Sequence, residues 1–421
     1  MVLYLLRAVV SLVQTRKPAL AFIFVTLVLD VLGVGIIIPN LPLLVKSFSG
    51  GNTETASHAV GWLASLYSLM QFGFSPVVGS LSDRFGRRPV ILTALLGSGL
   101  DYFLMAFAPN LGWFFVGRIV SGITGASFTA ASAYIADISP PEKRAANFGI
   151  IGAAFGIGFI AGPALGGVLG GMDPTLRLPF FVAGGLTLVN WLYGVFVLPE
   201  SLAPENRRQF SWGRSNPVGS LLALRRHPVA FGLAGTYFLV NVAHQALPST
   251  WVLYTGERYH WTSRQVGISL AIVGLMAGIV QGGLTRFVVK RFGEARTAIF
   301  GLSIAVLNYA AYGLATEGWM IYAILIVGSV SSVTGPAVQG LISRNVGADE
   351  QGGVQGSLTS LMGVAGIIGP PLATSLFAYY ISKDSPIYLP GAAFLFSSLL
   401  MLLAMLVTLV SFKRNAVHLT R

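Results

Sequence analysis

The chain has 421 residues, of which 54% are hydrophobic and 10% charged, with 27 Lys and Arg against 15 Asp and Glu for a net charge of +12. So few charges cannot cover the surface of a water-soluble globule of this size. Cysteine is absent, which excludes disulfides, thiolate metal centres and cysteine nucleophiles.

Twelve apolar runs are long enough to cross ~30 Å of hydrocarbon. They predict spans at 19–38, 59–80, 89–108, 112–134, 147–170, 178–198, 228–250, 264–286, 296–315, 319–341, 353–380 and 388–412. The predicted fold is therefore an all-α integral membrane protein. Ahead of the first run, Arg7, Arg16 and Lys17 flank a short apolar segment without a small-residue cleavage site, which predicts an uncleaved interfacial segment. The longest hydrophilic stretch, 199–227, carries Arg207, Arg208, Arg214, Arg225 and Arg226. It predicts a central loop between a six-helix bundle at 1–198 and another at 228–421.

With both termini on the cytoplasmic side, 21 of the 27 basic residues fall in cytoplasmic segments and only Lys46, Arg177, Arg258, Arg264 and Lys383 in external loops. Lipid headgroups then account for the positive charge, and a nucleic-acid partner is not required. No phosphate-binding GxxxxGK[ST] loop occurs, so ATP is not the expected drive. Neither paired acids nor a nucleophile constellation suggests an enzyme. No metal or organic cofactor is expected, and the expected assembly is a monomer in a bacterial inner membrane.

Along the spans, formal charge is nearly absent, and Asp30, Asp101 and Arg118 are the exceptions deep inside them. A charge at the bilayer centre costs at least ~2.5 to 3.5 kcal/mol, so it marks an ion pathway, a ligand site or a buried ion pair. Asp30 lies roughly 17 Å into span 1 by helical rise, and it is the leading candidate for a proton carrier. Asp101 in span 3 and Arg118 in span 4 are expected to form a switchable or structural pair. His244, the only histidine inside a span, is a second candidate for proton work or a packing residue.

Between spans 2 and 3 the chain reads Gly79-Ser80-Leu81-Ser82-Asp83-Arg84-Phe85-Gly86-Arg87-Arg88. A carboxylate here can meet the positive N-terminus of a helix, with span 11 near Gly352 and Gly353 as the expected partner, while the arginines pair with Asp137. Span 5 carries Gly158, Gly162, Pro163, Gly166 and Gly167, a spacing that lets another helix approach at backbone distance while the proline bends its own helix. For a substrate, scattered amides amid aromatics suit a moderately hydrophobic organic molecule. Tyr237, Asn241 and Gln245 share a helical face by spacing, followed by Asn308, Gln71, Gln281 and Gln339.

Shifting the sequence by 207 positions lays Arg84-Phe85-Gly86 on Arg291-Phe292-Gly293, Gly162-Pro163 on Gly369-Pro370, and Asp101 on Asn308. The halves are parallel copies. The second has lost charge, since Asp83 meets Lys290, Arg118 meets Leu325 and Asp30 meets Tyr237.

The layout and the Gly79–Arg88 loop resemble the major facilitator superfamily, and the Gly158–Gly167 string resembles the antiporter motif of its proton-driven drug exporters. Over nearly the whole length the chain is similar to the tetracycline/proton antiporter family, through Leu29-Asp30, Gly35, Pro39, Asp101-Tyr102, Gly117-Arg118 and the segment Trp251–Gly267. The resemblance implies twelve helices in two pseudo-symmetric bundles and proton-coupled export of a tetracycline-like or other hydrophobic drug. It makes the loop a latch favouring the outward-facing state. Two positions depart: Ala277 and Ala305 stand where the family carries a helix 8 histidine and a helix 9 aspartate. Uptake by the same fold, or a receptor without transport, are the alternative readings.

Overall fold

The computed structural model describes residues 20–125, 127–208, 228–346 and 351–414, and among them it contains helices and no strand. The basic positions at 7, 16, 17, 214, 225 and 226 lie outside the described residues. Seventeen α-helices of eight or more residues are described. They are α1 (Leu20–Ile37), α2 (Leu41–Phe48), α3 (Thr53–Phe85), α4 (Arg87–Phe107), α5 (Leu111–Gly125), α6 (Ser127–Ile138), α7 (Arg144–Met172), α8 (Leu178–Val197) and α9 (Pro228–His244). The series continues with α10 (Ala246–Tyr259), α11 (Ser263–Ile279), α12 (Thr285–Phe292), α13 (Glu294–Leu314), α14 (Gly318–Gly328), α15 (Thr334–Arg344), α16 (Gln351–Ile381) and α17 (Ala392–Arg414).

Ten stretches among the described residues are long and apolar enough to cross a membrane. The long α3 and the interrupted pair α9 and α10 complete the twelve spans. α9 and α10, at 17 and 14 residues, are individually too short, and α3 carries more polar residues along its length. Helices also outrun the apolar runs that announce them. α3 begins at Thr53, where Asn52 Oδ1 accepts a hydrogen bond from Thr55 N at 2.9 Å and caps the helix ahead of its apolar stretch.

Three spans change their winding within the bilayer. The tenth tightens to a 3₁₀ turn at Ser329–Val333, the eighth widens to a π turn at Val280–Leu284, and the seventh breaks at Gln245, whose N–H bonds Val242 O at 3.1 Å. Such breaks leave backbone carbonyls and side chains free for a ligand or water.

Contacts group the described residues into two compact units, one within Met1–Leu44 and Met70–Asn216, the other within Val45–Leu69 and Pro217–Arg421. The first unit has a core of Ile23, Leu27, Ile91, Leu95, Tyr134 and Ile135. The second is centred on Leu233, Ala298, Val338, Ile342 and Leu358. The first half of α3 belongs to the second unit, where a Cβ on Gly61 would strike Thr374 and Pro371 of α16, and Ser65 Oγ donates to Ile367 O at 2.6 Å. The buried faces mix large residues such as Trp251, Tyr134 and Phe180 with small and hydroxylated ones, while apolar residues such as Phe107, Leu307 and Val327 point outward, as lipid allows.

Candidate functional site

The Gly79–Arg88 loop is built around one backbone feature. Gly86 adopts φ 104° and ψ 160°, which glycine tolerates without strain, and this turns α3 directly into α4. A side chain there would press on the Glu200 carboxylate. Glu200, just beyond α8, accepts hydrogen bonds from Arg87 N at 2.9 Å and Arg88 N at 3.2 Å, and so satisfies the open donors at the start of α4.

Arg87 then organises the acids. Its Nη1 donates to Asp83 Oδ1 at 2.5 Å and to Ser82 Oγ at 2.7 Å, and its Nε to Asp137 Oδ2 at 3.0 Å. Arg88 donates to Leu198 O and Val195 O, both at 2.7 Å, and holds the end of α8. Arg84 lies over the Phe85 ring at 5.1 Å, and a Cβ on Gly79 would meet Thr129. The structure thus places Asp83 and Asp137 on one arginine. Glu200 was missed in the sequence because it lies 113 positions from Arg87, with no motif around it.

The glycines of α7 are approached by α1. A Cβ on Gly158 would lie 2.5 Å from Val31 Cγ1, one on Gly162 would lie 2.6 Å from Gly35 Cα, and one on Gly166 would strike the Ile36 backbone. Gly35 in turn faces Pro163. Asn40 Nδ2 donates to Gly166 O at 2.8 Å and pins the end of this seam, and Gly167 is buried beside it. Asp30, partly buried on α1, immediately precedes Val31 of the seam.

Asp101 is 1% exposed, and neither of its carboxylate oxygens accepts a hydrogen bond. It lies against the Gly117 backbone, where a Cβ would come within 2.8 Å of Oδ1. Arg118 Nη2 reaches Met105 Sδ at 3.3 Å. The first unit therefore holds a buried acid, Asp101 on α4, and a half-buried base, Arg118 on the neighbouring α5, and the expected pairing is not a hydrogen-bonded one, since neither carboxylate oxygen accepts from Arg118.

In the second unit the candidates separate. Tyr237 Oη donates to Met362 Sδ at 2.9 Å, and Asn241 Nδ2 donates to Tyr237 O at 2.8 Å. Gln245 sits at the break after α9 rather than on a continuous face, with its Cβ and Cγ against Gly369 of α16. Gln339 Nε2 donates to Gln355 Oε1 at 2.8 Å, Gln281 is exposed in the π turn, and Gln71 Nε2 reaches Gly125 O at 3.4 Å in the first unit. His244 and Asn308, by contrast, line one cavity of about 120 Å³, together with Tyr309, Ser332 and Ala277. Ala305 is 2% exposed on α13.

A family model described as the Major Facilitator Superfamily matches residues 23–370. The chain is 41% identical to the class C tetracycline resistance protein of Escherichia coli over 360 residues, covering 86% of this chain and 90% of that one. It is 38% identical to the class G tetracycline resistance protein of Vibrio anguillarum, covering 83% and 88%. Among solved structures, the human organic anion transporter MFSD10 (TETRAN) matches with a TM-score of 0.68 and 25% identity over 92% of this chain and 98% of that one. A bacterial homolog of the human lysosomal transporter Spinster, inward-facing and occupied, matches in fold with a TM-score of 0.74 and 16% identity over 94% and 96%.

Proposed function

From the premise that the chain belongs to the major facilitator superfamily, we propose that it exports a moderately hydrophobic organic compound in exchange for protons by alternating access. It is a multi-pass membrane transporter and not an enzyme. The substrate is of the tetracycline-like or multidrug kind, and the termini face the cytoplasm.

One observation carries the mechanism: Asp30 adjoins the backbone-close seam between α1 and α7. A helix packed on glycines can shift against its neighbour without side chains unlocking. Moving an ionised carboxylate through the bilayer centre costs at least ~2.5 to 3.5 kcal/mol, a factor of about 10² in the population of the state that exposes it to lipid. Protonation of Asp30 removes that penalty, so a proton taken from outside lets α1 return while substrate leaves.

Asp101 and Arg118 act as the second, coupled group. The Asp83–Arg87–Asp137 cluster, held by Glu200, latches the cytoplasmic ends of α3, α4 and α6 in the outward-facing state. Tyr237, Asn241, Gln245 and Asn308 supply hydrogen bonds to the substrate. Similarity to tetracycline resistance proteins over more than four-fifths of the chain supports the export direction.

The test is substrate movement in energised everted vesicles, using tetracyclines and unrelated lipophilic drugs. Accumulation in the lumen that collapses with the proton gradient is the expected result. Accumulation in right-side-out vesicles under an inward proton gradient would establish uptake instead.

A further inference from the structure

The cavity that His244 and Asn308 share is distinct from the α1–α7 seam, and its walls explain why it exists. α9 stops at His244, the 3₁₀ turn at Ser329–Val333 winds more tightly than an α-helix, and Ala277 and Gly328 provide little bulk. Asn308 rests so closely on Gly328 that a Cβ there would strike its amide group.

Two buried acceptors remain without a partner in this cavity, Asn308 Oδ1 and Ser332 Oγ. His244 Nδ1 and Tyr309 Oη lie 3.0 Å apart, with the rings edge to face. The occupant must therefore donate hydrogen bonds and be small. No carboxylate lines the cavity to balance a resident metal cation. Water meets these conditions, and about 120 Å³ is room for more than one molecule, each needing at least ~10–15 Å³.

We propose that this cavity is a water-filled proton-exchange site of the second unit, with His244 as the group that takes up the proton. The inference rests on the reading of the chain as a proton-coupled transporter. With Nδ1–H donating to Tyr309 Oη, Nε2 holds the free lone pair. An O–H bond of a protonated cavity water breaks and an Nε2–H bond forms, leaving water and imidazolium. The Tyr309 hydroxyl serves either direction, since it both donates and accepts. Around the ring, α13 contributes only Tyr309 and Tyr312 as other ionisable groups, while the cavity-lining residues of α10, α11, α14 and the 3₁₀ turn contribute none. Asn308 and Ser332 anchor the water that reaches the ring.

Histidine-¹⁵N NMR in lipid tests this without transport, the His244 signal being assigned by its loss in His244→Gln. The ring is expected to convert from its neutral form to imidazolium as the pH is lowered, and Ser332→Val, which fills the cavity and removes an acceptor, is expected to abolish that conversion. Tyr309→Phe serves as a second variant, and its signal is expected to shift while still titrating. A ring that titrates identically in wild type and Ser332→Val, or that never titrates in wild type, overturns the proposal. Titration controlled by Ser332 in a protein whose substrates move no protons would leave this site standing and remove the export reading.

Discussion

The loops that open α4 and α13 occupy equivalent places in the two repeats and carry opposite charges at two matched positions, 83 with 290 and 87 with 294, while Arg84 and Arg291 agree. Gly86 and Gly293 both adopt positive φ, 104° and 78°, ahead of their helices. In the first unit Arg87 binds Asp137 at 3.0 Å; 207 positions on, Glu294 binds Arg344 at 3.2 Å, and Lys290 stands where Asp83 does. The turn geometry is thus common to both copies, whereas the sign of the charge is not. What the fold requires is a bridged pair at this corner, of either polarity.

The two corners are not equally strong. The Arg87 side chain is 9% exposed and meets two acids, while the Arg344 side chain is 75% exposed and leaves Glu294 Oε2 unpartnered. A buried arginine with two acceptors gives up far more on removal than a solvated one with a single acceptor. The same asymmetry appears at the helix seams. Gly162 meets the backbone of Gly35, whereas Gly369, its repeat mate, meets the side chain of Gln245.

Several substitutions sharpen this comparison. The largest effect is expected at the seams: Gly162→Ala places a methyl group on α1 backbone and should cost about 3 kcal/mol or more, against about 2 kcal/mol for Gly369→Ala, where it meets Gln245 Cβ and Cγ and a rotamer change relieves only part of the overlap. Thermal unfolding of purified protein in detergent measures the difference, and equal losses would remove the asymmetry. Next come the corners. Arg87→Ala should cost about 3 kcal/mol and Arg344→Ala about 1 kcal/mol or less. Restored stability in the paired reversal Glu294→Arg with Arg344→Glu would show that polarity is free there.

Smaller still is Glu200→Gln, which loses the charge at the α4 N-terminus and, because an amide nitrogen cannot accept, one of the two bonds from Arg87 N and Arg88 N, and should cost about 1 kcal/mol. The smallest effect belongs to Asp173, in the loop before α8. Burial is the largest single influence and raises its carboxyl, but bonds from Leu178 N, Thr175 and Arg177 N together outweigh it and hold it below the usual carboxylate value. Because the folded value lies below the unfolded one, the loop's stabilisation is present above the unfolded value and is lost as pH falls through the lowered one. Asp173→Asn should abolish that acid-side loss in a pH series of unfolding midpoints.

Much of this architecture is legible in the residues themselves. Hydropathy locates the spans, and the loop string and its shifted copy show the repeat. Helix ends are less legible, because α3 continues through polar residues that packing and capping stabilise where hydropathy is silent. The breaks at Gln245, Val280–Leu284 and Ser329–Val333 are marked only by Pro248, Gly282-Gly283 and Gly335-Pro336 nearby, which do not by themselves tell a break from a kink. The partners of known motif residues, Glu200 for Gly86 and Arg344 for Glu294, lie 114 and 50 positions away, and only the fold brings them together.

The central claim is that the acid on α1 carries the proton that drives export, and it is tested most directly by recording substrate entry and proton release together in everted vesicles. Wild type should release luminal protons as substrate enters, and Asp30→Asn, folded and able to bind substrate, should do neither. Proton-coupled export that survives in Asp30→Asn would contradict the account.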